Sequence, residues 1–212
     1  MIKALKPEKA LNFNLMRRLL LATNNKGKLR EYHYLLKGIP FEMVTPADCG
    51  ITTDVAEVGA TFEENASLKA TTMASISCLL TLADDSGLEV EALGGEPGVR
   101  SSRFASENAT DADNITFLLA RLKDVPELHR LAQFRCVIAI AEPGGRVELC
   151  TGACPGIIVS KPRGTRGFGY DPVFLVPEMG KTMAELTLGE KNRISHRAQA
   201  AEKARELLMA WQ

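Results

Sequence analysis

Two adjacent acidic residues, Asp84 and Asp85, follow the apolar run "CLLTLA" and are followed in turn by Ser86 and Gly87. A third acid, Glu57, lies upstream, just before a predicted helix start. Carboxylates on a strand end and a neighbouring loop are suited to Mg²⁺, which takes oxygen ligands, keeps several waters and is usually shared with substrate phosphates. One of the two aspartates could instead be a turn residue. The pair together favours a site that binds a cation.

The segment "ATNNKGKLRE", residues 22–31, leaves a predicted strand and enters a predicted helix. A helix N-terminus offers free backbone N–H groups and the positive end of a dipole, and Lys26 and Lys28 add charge, so this segment is suited to binding phosphate. It is not a Walker A loop, because the leading glycine of that motif is missing and Leu29 replaces its Ser or Thr. A plain polar turn is the alternative interpretation.

A lysine lies on the apolar face of the next predicted helix. Four residues recur at helical spacing and define that face: Phe62, Ala66, Met73 and Ile76. Lys69 falls in the middle of it. Because a buried ammonium needs an anionic partner, we expect Lys69 to point toward a site. The alternative is a lysine whose aliphatic stem covers apolar surface while its charged end reaches water.

Two further segments near the C-terminus have residue types that can bind a nucleotide. Residues 164–172, "GTRGFGYDP", place Phe168 and Tyr170 among glycines that let backbone N–H groups approach a ligand, and Phe168 could stack on a base. Residues 191–197, "KNRISHR", put Ser, His and Arg consecutively at a predicted helix start, with Lys191 just upstream. Simple packing of the aromatic ring and a capping role for the histidine are the alternatives.

The order of predicted elements indicates an α/β fold. Strands are expected at 19–22, 41–44, 78–84, 132–143 and 146–156, the last two joined by a Gly144-Gly145 hairpin turn. Helices are expected at 27–37, after the Thr61–Glu64 capping box, from Thr110 or Asp111, and over 195–210. Alternating strands and helices followed by a hairpin predict a mixed sheet with helices on its faces. We expect an N-terminal extension over residues 1–18 and a single domain over 19–212.

The composition excludes several classes of protein. The 212 residues, 45% of them hydrophobic, suffice for a sizeable core. Basic and acidic residues number 26 each, so the formal charge is zero and no general attraction to nucleic acid or membrane is expected. No apolar run approaches the roughly 20 residues of a membrane span, and the N-terminus lacks the apolar core of a secretory signal. Five cysteines without a CxxC pair indicate a reducing, cytoplasmic location.

Five motifs together resemble one enzyme family. "ATNNKGKLRE", "EVGATFEENASLKA", "ADDSGLEVEALGGEPGVRSSRFA", "GFGYDPVF" and "KNRISHR" occur in the order and spacing typical of the inosine triphosphate pyrophosphatases, also called XTP/dITP diphosphatases. The resemblance covers about residues 19–204. It implies an elongated mixed sheet flanked by helices, two lobes with a central cleft, and a homodimer. It also implies Mg²⁺-dependent hydrolysis of ITP, dITP and XTP to the monophosphate and pyrophosphate, which removes these nucleotides from the pool.

The resemblance implies roles for individual residues. Asp85 matches the catalytic proton acceptor, and Glu57 and Asp85 match the metal ligands. The residues that match substrate contacts are Thr23, Asn24, Asn25, Lys26, Gly27, Lys28, Lys69, Ser86, Phe168, Gly169, Tyr170, Asp171, Lys191, His196 and Arg197. The sequence departs from the family at Val58, where many members have threonine. Two other functions stay open: a pyrophosphatase of other modified nucleotides, and a nucleotide-sensing module that binds without turnover.

Overall fold

The computed structural model describes residues 16–211, so most of the predicted N-terminal extension lies outside the described residues. These residues form a seven-stranded sheet in the order β2-β1-β3-β4-β5-β6-β7. The strands are β1 (Arg17–Leu21), β2 (Phe41–Val44), β3 (Leu80–Val90), β4 (Leu131–Ala141), β5 (Val147–Ile158), β6 (Phe174–Val176) and β7 (Lys181–Thr182). β1 pairs in parallel with β2 and β3, and the later neighbours pair antiparallel. The predicted mixed sheet is confirmed.

Five helices accompany the sheet in residues 16–211: α1 (Lys26–Leu35), α2 (Phe62–Ser77), α3 (Asp111–Arg121), α4 (Leu188–Ile194) and α5 (His196–Ala210). α1 and α5 pack on one face of the sheet, in an apolar cluster that includes Tyr32 and Ala204. α2 packs on the other face through residues such as Phe62 and Met73. A third cluster, which includes Leu118 of α3, covers the far half of the long strands. The helices therefore cover both faces of the sheet, as the α/β prediction requires.

The long strand β3 passes from one half of the molecule to the other. Leu82 belongs to the cluster under α1 and α5, Ala83 to the cluster under α2, and Leu88 to the third cluster. Because successive side chains of a strand point to opposite faces, Asp84 points to the α1 and α5 face and Asp85 to the α2 face. Both acids lie where the first two cores end and the third begins.

The prediction that the strand ends at Asp84, with both aspartates at its end, is wrong. β3 has 11 residues and carries the acids in its middle, where Asp84 pairs with Ile138 and Asp85 with Val137 of β4. The antiparallel ladder to β4 continues through the polar residues and keeps them extended. β1, in contrast, pairs only as far as Leu82. Within the described residues, no strand covers this edge of β3 between Leu82 and the later bridge from Glu89 to Pro97, which leaves room for a cleft.

Other element boundaries differ by a few residues. β1 begins at Arg17, inside the predicted extension, while β2 and the hairpin between β4 and β5 are confirmed. Helix α4 and the short strands β6 and β7 were not predicted. A Thr187–Glu190 capping box begins α4, and this signal is readable in the sequence. The predicted apolar face of α2 is wrong at Ile76, which is 46% exposed because it lies in the last turn of the helix.

No helix within residues 16–211 has both the length and the apolar character that crossing a membrane requires. All five cysteines are free, and Cys136, Cys150 and Cys154 are buried. Burial raises the pKa of the Cys150 and Cys154 thiols to about 11, because the charged thiolate is poorly solvated there. These two side chains therefore behave as small apolar residues of β5.

Helix α2 ends in a strained residue. Cys78 has φ +55°, in the left-handed region that favours glycine, and its side chain is exposed. We predict that Cys78→Gly stabilises the protein by about 1 kcal/mol, because glycine adopts this conformation without a Cβ clash. Thermal unfolding should show a melting temperature higher by about 2–4 °C. Cys78→Ala is the control: it removes the thiol but keeps the strain, and a similar gain from alanine would contradict the explanation.

Candidate active site

A cavity of about 270 Å³ opens along the free edge of β3 and collects residues from distant parts of the chain. Most of the predicted site residues line it: Thr23, Asn25, Lys28, Glu57, Lys69, Asp85, Ser86, Phe168, Gly169, Tyr170, Asp171, Lys191, His196 and Arg197. Three do not. Lys26 is exposed, Asn24 lines a smaller neighbouring hollow, and Gly27 lies so close to the ring of Phe168 that an added Cβ would be 2.5 Å from it.

The N-terminus of α1 does not offer the free N–H groups that the sequence led us to expect. The side chain of Asn25 caps the helix and accepts hydrogen bonds from the N–H groups of Gly27, at 2.8 Å, and Lys28, at 3.1 Å. The Lys28 ammonium reaches into the cavity and lies 3.0 Å from an Asp84 oxygen. The cation of this segment is therefore anchored to β3, and the helix end itself is largely satisfied by its cap.

Asp85 is a buried carboxylate held at both oxygens. Its Oδ1 accepts a hydrogen bond from the Ser86 N–H and its Oδ2 accepts one from the Asn65 side-chain amide, both at 2.9 Å. Burial, together with the nearby negative charge of Glu57, raises the pKa of Asp85 to about 6. A carboxylate with this pKa is a proton acceptor suited to near-neutral pH.

Glu57 supplies the anionic partner that Lys69 was predicted to need. The Lys69 ammonium donates a hydrogen bond to the Glu57 carboxylate. Burial disfavours the charged ammonium, but the Glu57 charge outweighs this effect and raises the pKa of Lys69. Arg103 also contacts Glu57: its guanidinium donates to the Glu57 backbone carbonyl at 3.1 Å. Lys69 and Glu57 thus face the same cavity as an ion pair.

Asp84 has the opposite electrostatic environment to Asp85. Burial alone would raise the pKa of Asp84, but Lys28 and Arg197 lower it well below its usual range. The Arg197 guanidinium lies 3.3 Å from Asp84 and donates to the Ser86 hydroxyl at 2.7 Å. The two adjacent acids therefore have different surroundings. Asp84 is an ionised partner of buried cations, and Asp85 faces the cavity.

A chain of buried ion pairs continues from Arg197. Its guanidinium lies 2.6 Å from Glu31 of α1, and Glu31 lies 2.9 Å from the ammonium of Lys191. Lys191 also lies 2.5 Å from Asp171, whose pKa is raised because burial outweighs the effect of Lys191. These side chains link α1, β3, α4, α5 and the segment that carries Phe168, and they are at most 5% exposed at their side chains.

Several residues of this site were missed from the sequence, among them Glu31, Asn65 and Arg103. Glu31 had a readable signal, since it follows Lys28 by three residues in α1 and so lies on the same side of the helix. Asn65 and Arg103 had none. Their roles depend on contacts with residues 20 and 46 positions away.

The other end of the cavity is aromatic and contains a neutral histidine. The ring of His196 stacks on Phe134 with 4.8 Å between centroids. Burial, together with the charges of Arg197 and Lys191, lowers the pKa of His196 well below its usual value, so the imidazole is neutral. Among the described residues, His196 Nδ1 and Arg197 Nε are buried polar atoms without a hydrogen-bond partner. Both residues line the cavity.

Tyr170 and Gly169 fix the segment around Phe168 in place. The Tyr170 hydroxyl donates to the Ser101 carbonyl at 2.8 Å, and the Gly169 N–H donates to Asp111 at 2.6 Å. The ring of Phe168 lies 4.9 Å from the Lys191 ammonium. The same ring has its centroid 5.6 Å from the guanidinium carbon of Arg197, so it lines the cavity beside both cations.

The buried ion pairs predict a large effect of removing Glu31. We expect Glu31→Gln to lower the free energy of unfolding by about 3 kcal/mol, because it leaves Arg197 and Lys191 with less opposing charge in a buried place. Chemical denaturation of the purified variant measures this. Glu42→Gln on the exposed side of β2 is the matched control and should change stability by less than about 0.5 kcal/mol. Equal stability of both variants would show that the ion pairs contribute nothing.

Comparison with known proteins places the chain in one group. The sequence profile of the Ham1 family matches residues 19–207. A protein of Desulforamulus reducens named dITP/XTP pyrophosphatase is 51% identical over 191 residues, which are 90% of this chain and 95% of that protein. A Bacillus subtilis protein with the same name is 44% identical over 92% of this chain and 99% of its own length. The structure of a HAM1 protein from Coxiella burnetii superposes with a TM-score of 0.84 and 43% identity, covering 92% of this chain and all of that one.

Proposed function

The chain belongs to the Ham1 family, and on that premise we propose that it hydrolyses the triphosphates of non-standard purine nucleosides, ITP, dITP and XTP, to the monophosphate and pyrophosphate. This activity removes such nucleotides before they enter DNA or RNA. One observation carries the proposal: a single cavity is lined by the acid Asp85, by the cations Lys28 and Lys69, and by Phe168 and the neutral His196. The name dITP/XTP pyrophosphatase, shared by relatives 44–51% identical, supports the same substrates.

The pair Glu57 and Asp85 fits a divalent cation. Both carboxylates line the cavity, and the charge of Glu57 raises the pKa of Asp85, so the two lie close enough to repel each other. Carboxylate oxygens are the ligands that Mg²⁺ prefers. Residues 16–211 contain no group of three or more acidic, histidine or cysteine side chains suited to a metal, so water and phosphate oxygens would complete the shell. Bound there, Mg²⁺ would neutralise phosphate charge and polarise the attacked phosphoryl group.

Asp85 is the proton acceptor of the proposed reaction. With a pKa of about 6 it is ionised at neutral pH and still basic enough to take a proton from water. The hydrogen bonds from Ser86 and Asn65 hold its carboxylate in one orientation. Water deprotonated by Asp85 attacks the α-phosphorus, the bond from that phosphorus to the bridging oxygen breaks, and pyrophosphate leaves.

Lys28 and Lys69 are the cations that stabilise the phosphate chain. Their side chains are each 15% exposed and face the cavity, so they can meet the charge that accumulates on the phosphates. Lys191 was expected to contact substrate as well. Its ammonium lies between Glu31 and Asp171, so we assign it to holding Asp171 and the neighbouring Phe168 rather than to neutralising phosphate.

The base end of the cavity supports a preference for a carbonyl at the purine six position. Arg197 lines this end of the cavity as a hydrogen-bond donor, and hypoxanthine and xanthine have an acceptor at the six position. Adenine presents an amino donor at the same position. Leaving two donors facing each other in a buried site costs about 1–3 kcal/mol. Guanine shares the carbonyl, so it must be refused at its two-amino group.

We predict that kcat/KM for ITP and XTP exceeds that for ATP and GTP by at least about a hundred-fold. The measurement is pyrophosphate and orthophosphate release from a panel of triphosphates in the presence of Mg²⁺. Pyrophosphate should be the product, and the panel should include modified purine nucleotides.

The same panel separates the alternatives. Equal rates on ATP and ITP contradict the proposed base selection, and a better rate on another modified nucleotide indicates a pyrophosphatase of different specificity. Binding of ITP without any product indicates a sensing module.

We predict that Asp85→Asn lowers kcat by at least about a thousand-fold, because the amide neither ligates a cation as a carboxylate does nor accepts the proton. The substitution preserves shape, but its amide NH2 must face one of the two donors, Ser86 N–H or Asn65 Nδ2, so we expect the free energy of unfolding to fall by about 1–3 kcal/mol while the protein stays folded. Ser106→Ala, an exposed substitution outside the cavity, is the control for handling and expression. Turnover of Asp85→Asn near the wild-type rate would refute the assignment.

The proposal has two further parts, of which the resemblance implies the first and the cysteines favour the second. The first is a homodimer. The second is a cytoplasmic location, which the five free cysteines support because thiols stay reduced there.

A further inference from the structure

Asn65 is a buried amide that bonds to Asp85 and to the segment that carries Glu57. It lies in the first turn of α2 and is 1% exposed. Its Nδ2 donates to Asp85 Oδ2 at 2.9 Å, and its Oδ1 accepts from the Gly59 N–H at 2.7 Å. A carboxylate only accepts and an N–H only donates, so these partners fix the orientation of the amide.

The Glu57 segment has few other attachments. Residues 51–60 form no helix or strand. Around Glu57 the described backbone is tied by Arg103, which donates to the Glu57 carbonyl, and by Asn65, which accepts from Gly59 two residues later. The Ala60 N–H donates to Glu64 of α2 at 2.7 Å. Asn65 is therefore the side chain that joins this segment to the catalytic strand β3.

Gly59 and Asn65 approach so closely that a side chain at position 59 is excluded. A Cβ at Gly59 would lie 2.7 Å from Asn65 Oδ1 and 3.1 Å from the Asn65 backbone nitrogen. Both residues are needed for this contact. Gly59 lets the two backbones approach, and the Asn65 amide oxygen accepts the hydrogen bond from the Gly59 N–H.

We propose that Asn65 is a positioning residue that holds Asp85 and the Glu57 segment in the mutual arrangement that binds the divalent cation. This inference rests on the proposed function, because it assumes that the two acids are metal ligands. Two ligands from separate segments bind a cation tightly only if their geometry is fixed in advance, since otherwise binding must order them. Asn65 supplies this order through one hydrogen bond to each segment. Loss of such a supporting partner typically costs 10- to 100-fold in metal affinity.

The test is the affinity of the full chain for Mn²⁺ alone, measured by isothermal titration calorimetry. Asn65→Leu keeps the branching of the side chain, with two methyl groups in place of the amide oxygen and nitrogen, and lacks both hydrogen bonds, and we expect its dissociation constant to rise at least about tenfold. Thr182→Val is the control, because Thr182 is also buried but lies outside the cavity, and the change removes the hydrogen bond that its hydroxyl donates to the Arg163 carbonyl at 2.8 Å. The control should lose stability similarly but keep its Mn²⁺ dissociation constant within about twofold.

Two milder variants keep the test decisive if Asn65→Leu does not fold. In Asn65→Ser the side chain is too short to reach both Asp85 and Gly59. In Gly59→Ala the added methyl group pushes residue 59 away from Asn65. Both should weaken Mn²⁺ binding, and both should speed amide hydrogen exchange over residues 52–60. A folded variant at either position that binds Mn²⁺ as tightly as the wild type overturns the proposal. Wild-type protein that binds no Mn²⁺ and turns over no ITP contradicts the proposed function itself, which is a separate result.

Discussion

The Arg197 guanidinium, buried among Glu31, Asp84 and Ser86, is the interaction on which the site depends. It brings three elements to one point: α1 through Glu31, β3 through Asp84 and Ser86, and its own helix α5. A buried charge without partners costs several kcal/mol, so each of these elements must be in place for the others to be stable. The same requirement keeps Asp84 ionised, which in turn holds Lys28 at the cavity. The position of Lys28 at the cavity is thus a consequence of how charge is neutralised inside the protein.

The sequence predicted the parts of the fold that follow from local patterns. Helix starts at Thr61 and Thr110 were readable because a side-chain oxygen caps a backbone N–H three residues on. β2 and the Gly144-Gly145 hairpin could be predicted because glycine and proline residues, which favour turns, lie at the ends of the apolar runs. The course of β3 was not, since what keeps Asp84 and Asp85 extended is the ladder to β4, more than fifty positions along the chain.

In the candidate site, too, features set by local patterns were predicted and features set by distant contacts were not. Lys69 was singled out because a lysine on an apolar helix face demands a partner, and Glu57 is that partner. Most of the residues that the family resemblance assigned to the site line the cavity. The expectation of free N–H groups at the start of α1 is wrong for Gly27 and Lys28, because the Asn25 side chain accepts hydrogen bonds from both. An asparagine that caps a helix cannot be recognised as such from its place in a polar segment alone.

The pairing of β3 with β4 has a consequence for how this chain can change over evolutionary time. Neighbouring residues of a strand face opposite sides, so moving β3 by one position against β4 would exchange the surroundings of its two aspartates. The acid beside Arg197 would enter the cavity, and the acid of the cavity would be placed among the buried cations. Insertions or deletions of one residue within either strand should therefore be absent from working relatives. The loop Glu142–Arg146 at the end of the hairpin is free to vary in length, because changes there leave the alignment of the strands untouched.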